Sequence, residues 1–176
     1  KSFVKKPKTS HAAYICEEGY SERGSVVILT HPASCGRVWR MRYRDFCGVE
    51  VSEVGLGTWQ LGSADWGKVD EAETLGILQR SVELGVNFLD TADVYGMGHS
   101  ERMLGRFLKE CGEVVQVATK LGRRHDEPNG WPQNFTAESM RQHTEDSLRH
   151  LGLESVFLTQ LHCIPTEELR RGEVFE

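Results

Sequence analysis

Cysteine is sparse in this sequence, and no two cysteines stand at the spacing of a metal-binding pair. The 176 residues contain five cysteines. An odd, scattered set without a CxxC pair predicts neither a zinc site nor a disulfide framework, so we expect no metal. Reduced thiols are typical of cytoplasmic proteins, and we therefore expect a cytoplasmic location. The cysteines are Cys16, Cys35, Cys47, Cys111 and Cys163.

Long apolar runs and an excess of basic residues are also missing. Even the longer, mostly apolar stretches, such as residues 114–118, are far shorter than the about 20 residues that span a bilayer. We therefore expect no membrane partner, and the lysine-containing N-terminus does not resemble a secretory signal peptide. The net charge of −5 argues against nucleic acid as a partner, because phosphate binding favours a basic surface.

The chain changes character after residue 40. Residues 1–40 hold seven Lys or Arg and three Asp or Glu, a balance of +4, and they show no convincing periodicity. Residues 41–176 hold fourteen and twenty-three, a balance of −9. We interpret residues 1–40 as an extension outside the domain. In one interpretation Met41 is the natural start, and residues 1–40 are translated upstream sequence or a disordered segment. In the other, they are a genuine extra segment. Residues 41–176 are interpreted as the organised domain.

From residue 41 onward, strand and helix signals alternate. Residues 42–46 and 49–52 flank Gly48 and predict an N-terminal hairpin. Continuous apolar runs predict four buried strands, at residues 54–58, 86–91, 114–119 and 156–161. The four helices are predicted to begin at Asp70, Ser100, Thr136 and Thr166. Glycines at 85 and 152 are predicted to close the first and third helices, and the chain is predicted to end within the fourth.

Buried apolar strands that alternate with helices are typical of a parallel sheet covered by helices. The pattern alone fits both an open, doubly wound sheet and a (β/α)8 barrel. A complete barrel usually needs about 250 residues. Residues 41–176 hold four strand–helix units, half of the eight in a barrel. The choice between the two architectures therefore rests on the chemistry of the strand ends.

Ionisable side chains stand at the carboxyl ends of consecutive predicted strands. Asp90 closes the second strand and Tyr95 follows in its loop, Lys120 closes the third strand, and His162 closes the fourth. In a barrel this edge of the sheet is the catalytic face. Taken singly, each residue has a structural alternative: a turn aspartate, a loop aromatic, a solvated lysine or a lone histidine. Taken together, they favour a catalytic site, because buried lysine and histidine side chains need partners.

Five motifs, in order along residues 41–176, resemble the aldo-keto reductase family. The longest covers residues 89–105 and reads LDTADVYGMGHSERMLG, and the others lie at 41–46, 51–59, 117–122 and 158–162. The resemblance implies a (β/α)8 TIM barrel, truncated here to about the first four strand–helix units behind an N-terminal hairpin. It also implies an NADP-dependent oxidoreductase, which reduces aldehydes or ketones to alcohols by hydride transfer from NADPH.

Matched residue by residue, the family's catalytic residues fall on Asp90, Tyr95, Lys120 and His162. The resemblance implies that Tyr95 donates a proton to the carbonyl oxygen of a small substrate. A lysine cation next to a phenol stabilises the phenolate, so Lys120 would make Tyr95 a better acid. Asp90 would pair with Lys120, and His162 would orient the carbonyl group by a hydrogen bond.

The positions implied beside the NADPH cofactor are Gly57, Thr58, Trp59 and Asp90. The glycines of this region do not have the GxGxxG spacing of a nucleotide-binding loop. Trp131 is either a wall of the substrate pocket or a surface residue. We expect the histidines outside the motifs to lie on the surface, namely His125, His143 and His150.

By this resemblance, the sequence lacks the second half of the barrel and most of the implied NADPH site. A half-barrel leaves two strand edges and one apolar face exposed, which favours self-association. We therefore expect low stability and weak or no activity for this chain by itself. Two alternatives to a reductase stay open: an NADPH-binding regulatory subunit and an inactive truncated fragment.

Overall fold

The structure, a computed structural model, describes residues 27–28, 39–62, 70–124, 131 and 134–175. Most of residues 1–40 lies outside the described residues, so their interpretation as an extension stays a prediction. The strands are β1 Val27–Ile28, β2 Trp39–Arg40, β3 Tyr43–Phe46, β4 Val49–Ser52, β5 Leu56–Gly57, β6 Phe88–Asp90, β7 Gln116–Leu121 and β8 Leu158–Leu161. The helices are α1 Glu71–Glu83, α2 His99–Glu110, α3 Ala137–Leu151 and α4 Thr166–Arg171, with short 3-10 helices at Gln60–Gly62 and Glu173–Phe175.

The predicted hairpin is confirmed by the antiparallel pair β3 and β4, in which Phe46 lies opposite Val49. Cys47 and Gly48 form the two-residue turn with φ angles of +55° and +84°. Turns with both central residues in the left-handed region match the twist of the flanking strands. The Phe46 ring lies 5.5 Å from the ring of Phe157, which directly precedes β8. The hairpin therefore covers the amino end of the main sheet.

The main sheet contains four parallel strands in the order β5-β6-β7-β8. A doubly wound sheet reverses its strand order at a switch point, whereas barrel strands follow one another in sequence order. Because parallel crossovers are right-handed, an unreversed order puts the helices on one side of the sheet. Helix α1 accordingly packs on α2, and α2 on α3. The four strands and their helices therefore form part of a (β/α)8 barrel, as predicted.

The two faces of this sheet have different surroundings. Facing the helices, Leu89 is fully buried, and Val117 and Leu121 are almost fully buried. On the opposite face, Phe88 and Leu158 are half-buried and line an open cavity of about 650 Å³. This is the face whose exposure led us to expect self-association, which stays a prediction.

The predicted caps of the first and third helices are confirmed. The Asp70 side chain accepts hydrogen bonds from the backbone N–H groups of Ala72 and Glu73 at the start of α1. Thr136 caps α3 through the backbone N–H of Ser139. Both side chains therefore satisfy backbone donors that have no partner within the helix.

The fourth helix and the strand boundaries differ from the prediction. Thr166 is the first residue of α4 rather than its cap, and Pro165 occupies the cap position. Helix α4 does not run to the end of the chain, because Gly172 at φ +80° ends it in the left-handed conformation. Strand β5 has two residues where five were predicted, since only Leu56 and Gly57 pair with β6.

Gly105, in the middle of α2, allows a close approach to the end of α3. A Cβ at this position would lie 2.9 Å from the Leu151 carbonyl oxygen and closer still to that of His150. Inside a helix, glycine lowers the free energy of unfolding by about 1 kcal/mol relative to alanine. At Gly105 the close contact between the two helices outweighs this cost, because an alanine would collide with α3. Gly76 of α1 differs, because nothing among the described residues lies within 4 Å of its Cβ position.

Alanine should therefore have opposite effects at these two glycines. We expect Gly105→Ala to lower the free energy of unfolding by about 1–3 kcal/mol, because it overpacks a close contact. Gly76→Ala should raise it by about 0.5–1 kcal/mol through helix propensity alone. Urea unfolding followed by circular dichroism measures both values. Equal stabilisation by the two substitutions would show that α2 does not approach α3 closely at Gly105.

Candidate active site

The Lys120 ammonium lies at the carboxyl end of β7 and has three hydrogen-bond acceptors. It forms an ion pair with Asp90 Oδ1, and it donates to the Thr91 carbonyl oxygen at 3.0 Å and to Tyr95 Oη at 3.2 Å. An ammonium group has three protons, so each of them has an acceptor. The structure thus brings Asp90, Tyr95 and Lys120 together, while their catalytic roles stay predictions.

His162 lies directly after β8, with its ring 5.9 Å from the Tyr95 ring and perpendicular to it. The residue is 9% exposed. Burial, together with the positive charges of Lys120 and Arg123, lowers the pKa of His162 to about 4, although the Asp90 carboxylate opposes this shift. The imidazole is therefore neutral at neutral pH. All four residues predicted to be catalytic lie at one edge of the sheet.

Two glycines let the loop that carries Tyr95 lie close to the residues after β5. A Cβ on Gly62 would lie 2.9 Å from the Tyr95 carbonyl carbon, and a Cβ on Gly96 would collide with the Gly62 carbonyl oxygen. Gly96 also has a φ of +58°, which favours glycine. Neither glycine was predicted as a site residue, because a sequence does not show which backbone a loop glycine approaches.

The positions predicted beside the cofactor have different environments. Gly57 is the register partner of Asp90, and nothing among the described residues lies within 4 Å of its Cβ position. Trp59 is 45% exposed and stacks beside Tyr95, with 6.3 Å between the ring centroids. Thr58 is fully buried, and its hydroxyl donates to the Asp90 carbonyl oxygen at 2.9 Å. Among the described residues, Gly57 and Trp59 are thus exposed, whereas the Thr58 side chain faces the protein interior.

Gln160 is a site residue that the sequence analysis missed. Its Nε2 donates to Asp90 Oδ2 at 3.2 Å. The register of β7 and β8 places Gln160 opposite Lys120. Gln160 precedes His162 by two residues, and the alternation of a strand puts such residues on one face. This period of two was the signal in the sequence that pointed to Gln160.

A second group of charged residues is buried behind the Tyr95 loop. Asp93 is 1% exposed, and it accepts a hydrogen bond from Arg124 Nε at 3.2 Å. Arg124 Nη1 donates to Asp146 of α3 at 2.8 Å. His143 Nδ1 lies 3.6 Å from Asp93 Oδ2, and the His143 side chain is fully buried. The predicted surface position of His143 is therefore wrong, because α3 turns this residue towards the Tyr95 loop.

Burial and charge act in opposite directions on the ionisation of these groups. Burial raises the pKa of Asp93, although the positive charge of Arg124 opposes this shift. Burial alone would lower the pKa of Arg124, but the hydrogen bond to Asp146 and the negative charges around it raise that pKa overall. Arg124 therefore remains a cation and bridges the Tyr95 loop to α3.

Glu101 of α2 is also fully buried, and its partners come from β7 and α3. Thr119 Oγ1 donates to Glu101 Oε1 at 2.7 Å, and His150 Nδ1 lies 3.0 Å from Oε2. His150 is half-buried, so its predicted surface position is also wrong, whereas His125 lies outside the described residues. Glu101 precedes the buried Leu104 by three residues on one helix face, and this was the signal that its side chain is buried.

Trp131 lies next to the segment that follows His162. Its indole N–H donates to the Cys163 carbonyl oxygen at 3.1 Å, and the residue is 45% exposed. Cys163 has a backbone φ angle of +56°, which is rare for residues other than glycine and asparagine. Both roles of Trp131, as a pocket wall and as a surface residue, stay predictions.

Within the described part of the chain, no three His, Cys, Asp or Glu side chains come together as a metal site would require. None of the described helices is long and apolar enough to cross a membrane.

Comparisons with known proteins identify the family and the fold that the chain resembles. The sequence profile of the Aldo/keto reductase family matches residues 53–170. Aldo-keto reductase YhdN of Bacillus subtilis is 32% identical over 126 residues, which cover 69% of this chain and 38% of that protein. L-galactose dehydrogenase of Arabidopsis thaliana is 39% identical over 120 residues, which cover 66% of this chain and 35% of that protein.

Solved structures give the same result. An aldo-keto reductase from Bacillus halodurans, solved in its holo form, is 33% identical and superposes with a TM-score of 0.65. The match covers 76% of this chain and 44% of that structure. The chain thus spans less than half the length of each of these three relatives.

The titration of His162 tests the electrostatics of this edge. We expect its imidazole to ionise with a pKa of about 4 in the folded chain, against about 6.5 in the unfolded chain. Between these values the unfolded state binds more protons, so the contribution of His162 to stability falls as the pH decreases from about 6.5 to 4. Proton NMR of the ring and urea unfolding across this range measure both effects. His162→Gln should remove this part of the pH dependence, and a folded-state midpoint near 6.5 would contradict the prediction.

The buried charges can be tested with two arginines that share one partner. Arg124 and Arg149 both donate to Asp146 at 2.8 Å, but the Arg124 side chain is 11% exposed and that of Arg149 is 65% exposed. We expect Arg124→Met to lower the free energy of unfolding by about 3 kcal/mol, because it leaves the Asp93 carboxylate buried without its cation. Arg149→Met should cost about 0.5 kcal/mol or less. Equal losses in urea unfolding would show that Asp93 does not depend on Arg124.

Proposed function

The chain belongs to the aldo/keto reductase family of oxidoreductases, and we propose that it carries the proton-transfer residues of a carbonyl reductase. The reaction reduces a small aldehyde or ketone to an alcohol, with NADPH as the hydride donor. One observation carries this proposal: the Lys120 ammonium is held between the Asp90 carboxylate and the Tyr95 hydroxyl, which is 3.2 Å away. The holo form of the Bacillus halodurans relative supports a cofactor requirement.

The space beside Asp90 supports the assignment of the cofactor. Gly57 and the exposed Trp59 leave room for a flat ring next to the Asp90 backbone. When bound, NADPH would supply the hydride that adds to the carbonyl carbon of the substrate. We assign Gly57, Trp59, Asp90 and the backbone of Thr58 to its binding, since the Thr58 hydroxyl already bonds to the protein.

Tyr95 is the proton donor in this proposal. As the carbonyl carbon accepts a hydride, negative charge grows on its oxygen, and a positioned acid must donate a proton. His162 is neutral at neutral pH because its pKa is about 4, so it is a poor source of that proton. The Tyr95 hydroxyl is hydrogen-bonded to the Lys120 cation, which stabilises the phenolate that remains.

Asp90 and His162 support this transfer. Asp90 compensates the charge of the partly buried Lys120 ammonium and fixes its position, because an unpaired buried cation is costly. The neutral imidazole of His162, which lies beside the Tyr95 ring, donates a hydrogen bond to the carbonyl oxygen and orients it. A regulatory subunit that only binds NADPH does not need this set of proton-transfer residues, so the set favours the enzyme. Self-association and a cytoplasmic location stay predictions of the sequence.

Replacement of one tyrosine tests the proposed reaction. Tyr95→Phe in the full-length protein should lower kcat for reduction of a small aldehyde by about 10²–10⁴-fold, because the proton donor is lost. The KM for NADPH should change little. Consumption of NADPH followed by absorbance measures both.

Tyr43→Phe is the matched control. The Tyr43 hydroxyl donates to the Gly85 carbonyl oxygen at 2.9 Å, on the hairpin at the amino end of the sheet. Its loss should leave kcat unchanged. A Tyr95→Phe variant that reduces the aldehyde at the rate of the unsubstituted protein would exclude Tyr95 as the proton donor.

A further inference from the structure

Both carboxylate oxygens of Asp90 are engaged, one by a charged donor and one by a neutral donor. Oδ1 pairs with the Lys120 ammonium, and Oδ2 accepts from Gln160 Nε2 at 3.2 Å. Asp90 borders the 650 Å³ cavity, which Phe88 and Leu158 also line. The Asp90 side chain is 31% exposed, so a donor fixed in the sheet determines the orientation of the carboxylate rather than its solvation. Gln160 supplies that donor.

The strand register explains how Gln160 reaches Asp90 across the intervening strand. Gln160 of β8 lies opposite Lys120 of β7, and Asp90 of β6 lies opposite Ala118 of β7. Ala118 and Lys120 are on the same face, because they are two residues apart in a strand. Ala118 has only a methyl side chain on this face, and the Gln160 amide reaches the Asp90 carboxylate across β7 at 3.2 Å.

The Gln160 amide has no charge, and this also suits it to a position next to Asp90 and Lys120. An ionised carboxylate only accepts hydrogen bonds, so the nitrogen end of the amide faces Asp90. A glutamate at this position would attract the Lys120 ammonium away from Tyr95 and repel Asp90. A lysine would compete with Lys120 for the Asp90 carboxylate. Glutamine supplies a donor without adding a charge.

We propose that Gln160 is a positioning residue, which fixes the orientation of the Asp90 carboxylate so that Asp90 holds the Lys120 ammonium against the Tyr95 hydroxyl. Gln160 acts through Asp90 and does not touch the substrate. The effect of Gln160 on the position of the Lys120 ammonium does not depend on the function of the protein, whereas its effect on the reaction rate rests on the function proposed above.

The first test observes the Lys120 ammonium by NMR of ¹⁵N-labelled protein, which needs no substrate. Its protons should exchange slowly with water because each has an acceptor, and Lys120→Arg identifies the signal. Gln160→Met keeps the side-chain length and removes the donor, so the signal should shift or be lost through faster exchange. Gln160→Glu keeps the shape and should also shift the signal, because the new carboxylate attracts the ammonium away from Tyr95.

The control is Gln116→Met, since Gln116 is a half-buried glutamine at the other end of β7 on the same face. It should leave the Lys120 signal unchanged. An unchanged signal in a folded Gln160→Met variant overturns the proposal. If the Gln160 variants do not fold, the unsubstituted chain decides: slow exchange of one Gln160 amide proton supports the proposal, and fast exchange of both overturns it.

Kinetics give the second test. Gln160→Met should lower kcat about tenfold, the effect of one lost hydrogen bond to a charged group, and leave KM unchanged. An active reductase whose kcat does not respond to this substitution overturns the proposal. If the unsubstituted full-length protein reduces no carbonyl compound, the proposed function fails, and the Lys120 signal alone then decides the role of Gln160.

Discussion

The partly buried ammonium of Lys120 is the group on which the rest of the site depends. A cation in this position needs a compensating charge and an acceptor for each proton, and Asp90, Thr91 and Tyr95 provide them. The same positive charge helps burial to keep His162 neutral. The ammonium comes from β7, and its acceptors come from the end of β6 and the loop that follows, so these two strands must hold their register for the ammonium to be satisfied. The architecture is therefore tied to the electrostatics of a single side chain.

Tyr95 belongs to a loop, and loops are generally more mobile than strands. Its position relative to Lys120 depends on close packing on one side, where the backbones of Gly62 and Gly96 meet. On the other side lie two buried carboxylates, Asp93 within the loop and Glu101 at the start of α2. Asp93 is bonded to Arg124, which follows β7, and Glu101 contacts Thr119 of β7 and His150 of α3. Buried charges are costly, but they hold a loop in one position more specifically than apolar contacts do.

The sequence predicted the parts of the fold that depend on local rules. Helix caps such as Asp70 and Thr136 are set by residues within one turn, and the alternation of apolar runs with helices predicted the parallel sheet. The burial of His143 was not predictable in this way, because its partner Asp93 lies 50 residues earlier in the chain. A polar residue on a helix looks exposed until the opposing surface is known. The close approach at Gly105 was hidden for the same reason.

The charges at this edge suit a reaction in which negative charge develops on oxygen. Asp90 and Lys120 cancel one another, while Gln160 and the neutral His162 add none, so these four groups together carry no net charge. If Tyr95 gives up its proton, the new negative charge appears next to Lys120, where it is stabilised most. A second carboxylate at position 160 would cancel that advantage, and a charged His162 would offer a competing proton. The neutral side chains of Gln160 and His162 are thus as important as the charged ones, because they do not weaken the electrostatic stabilisation of a Tyr95 phenolate by Lys120.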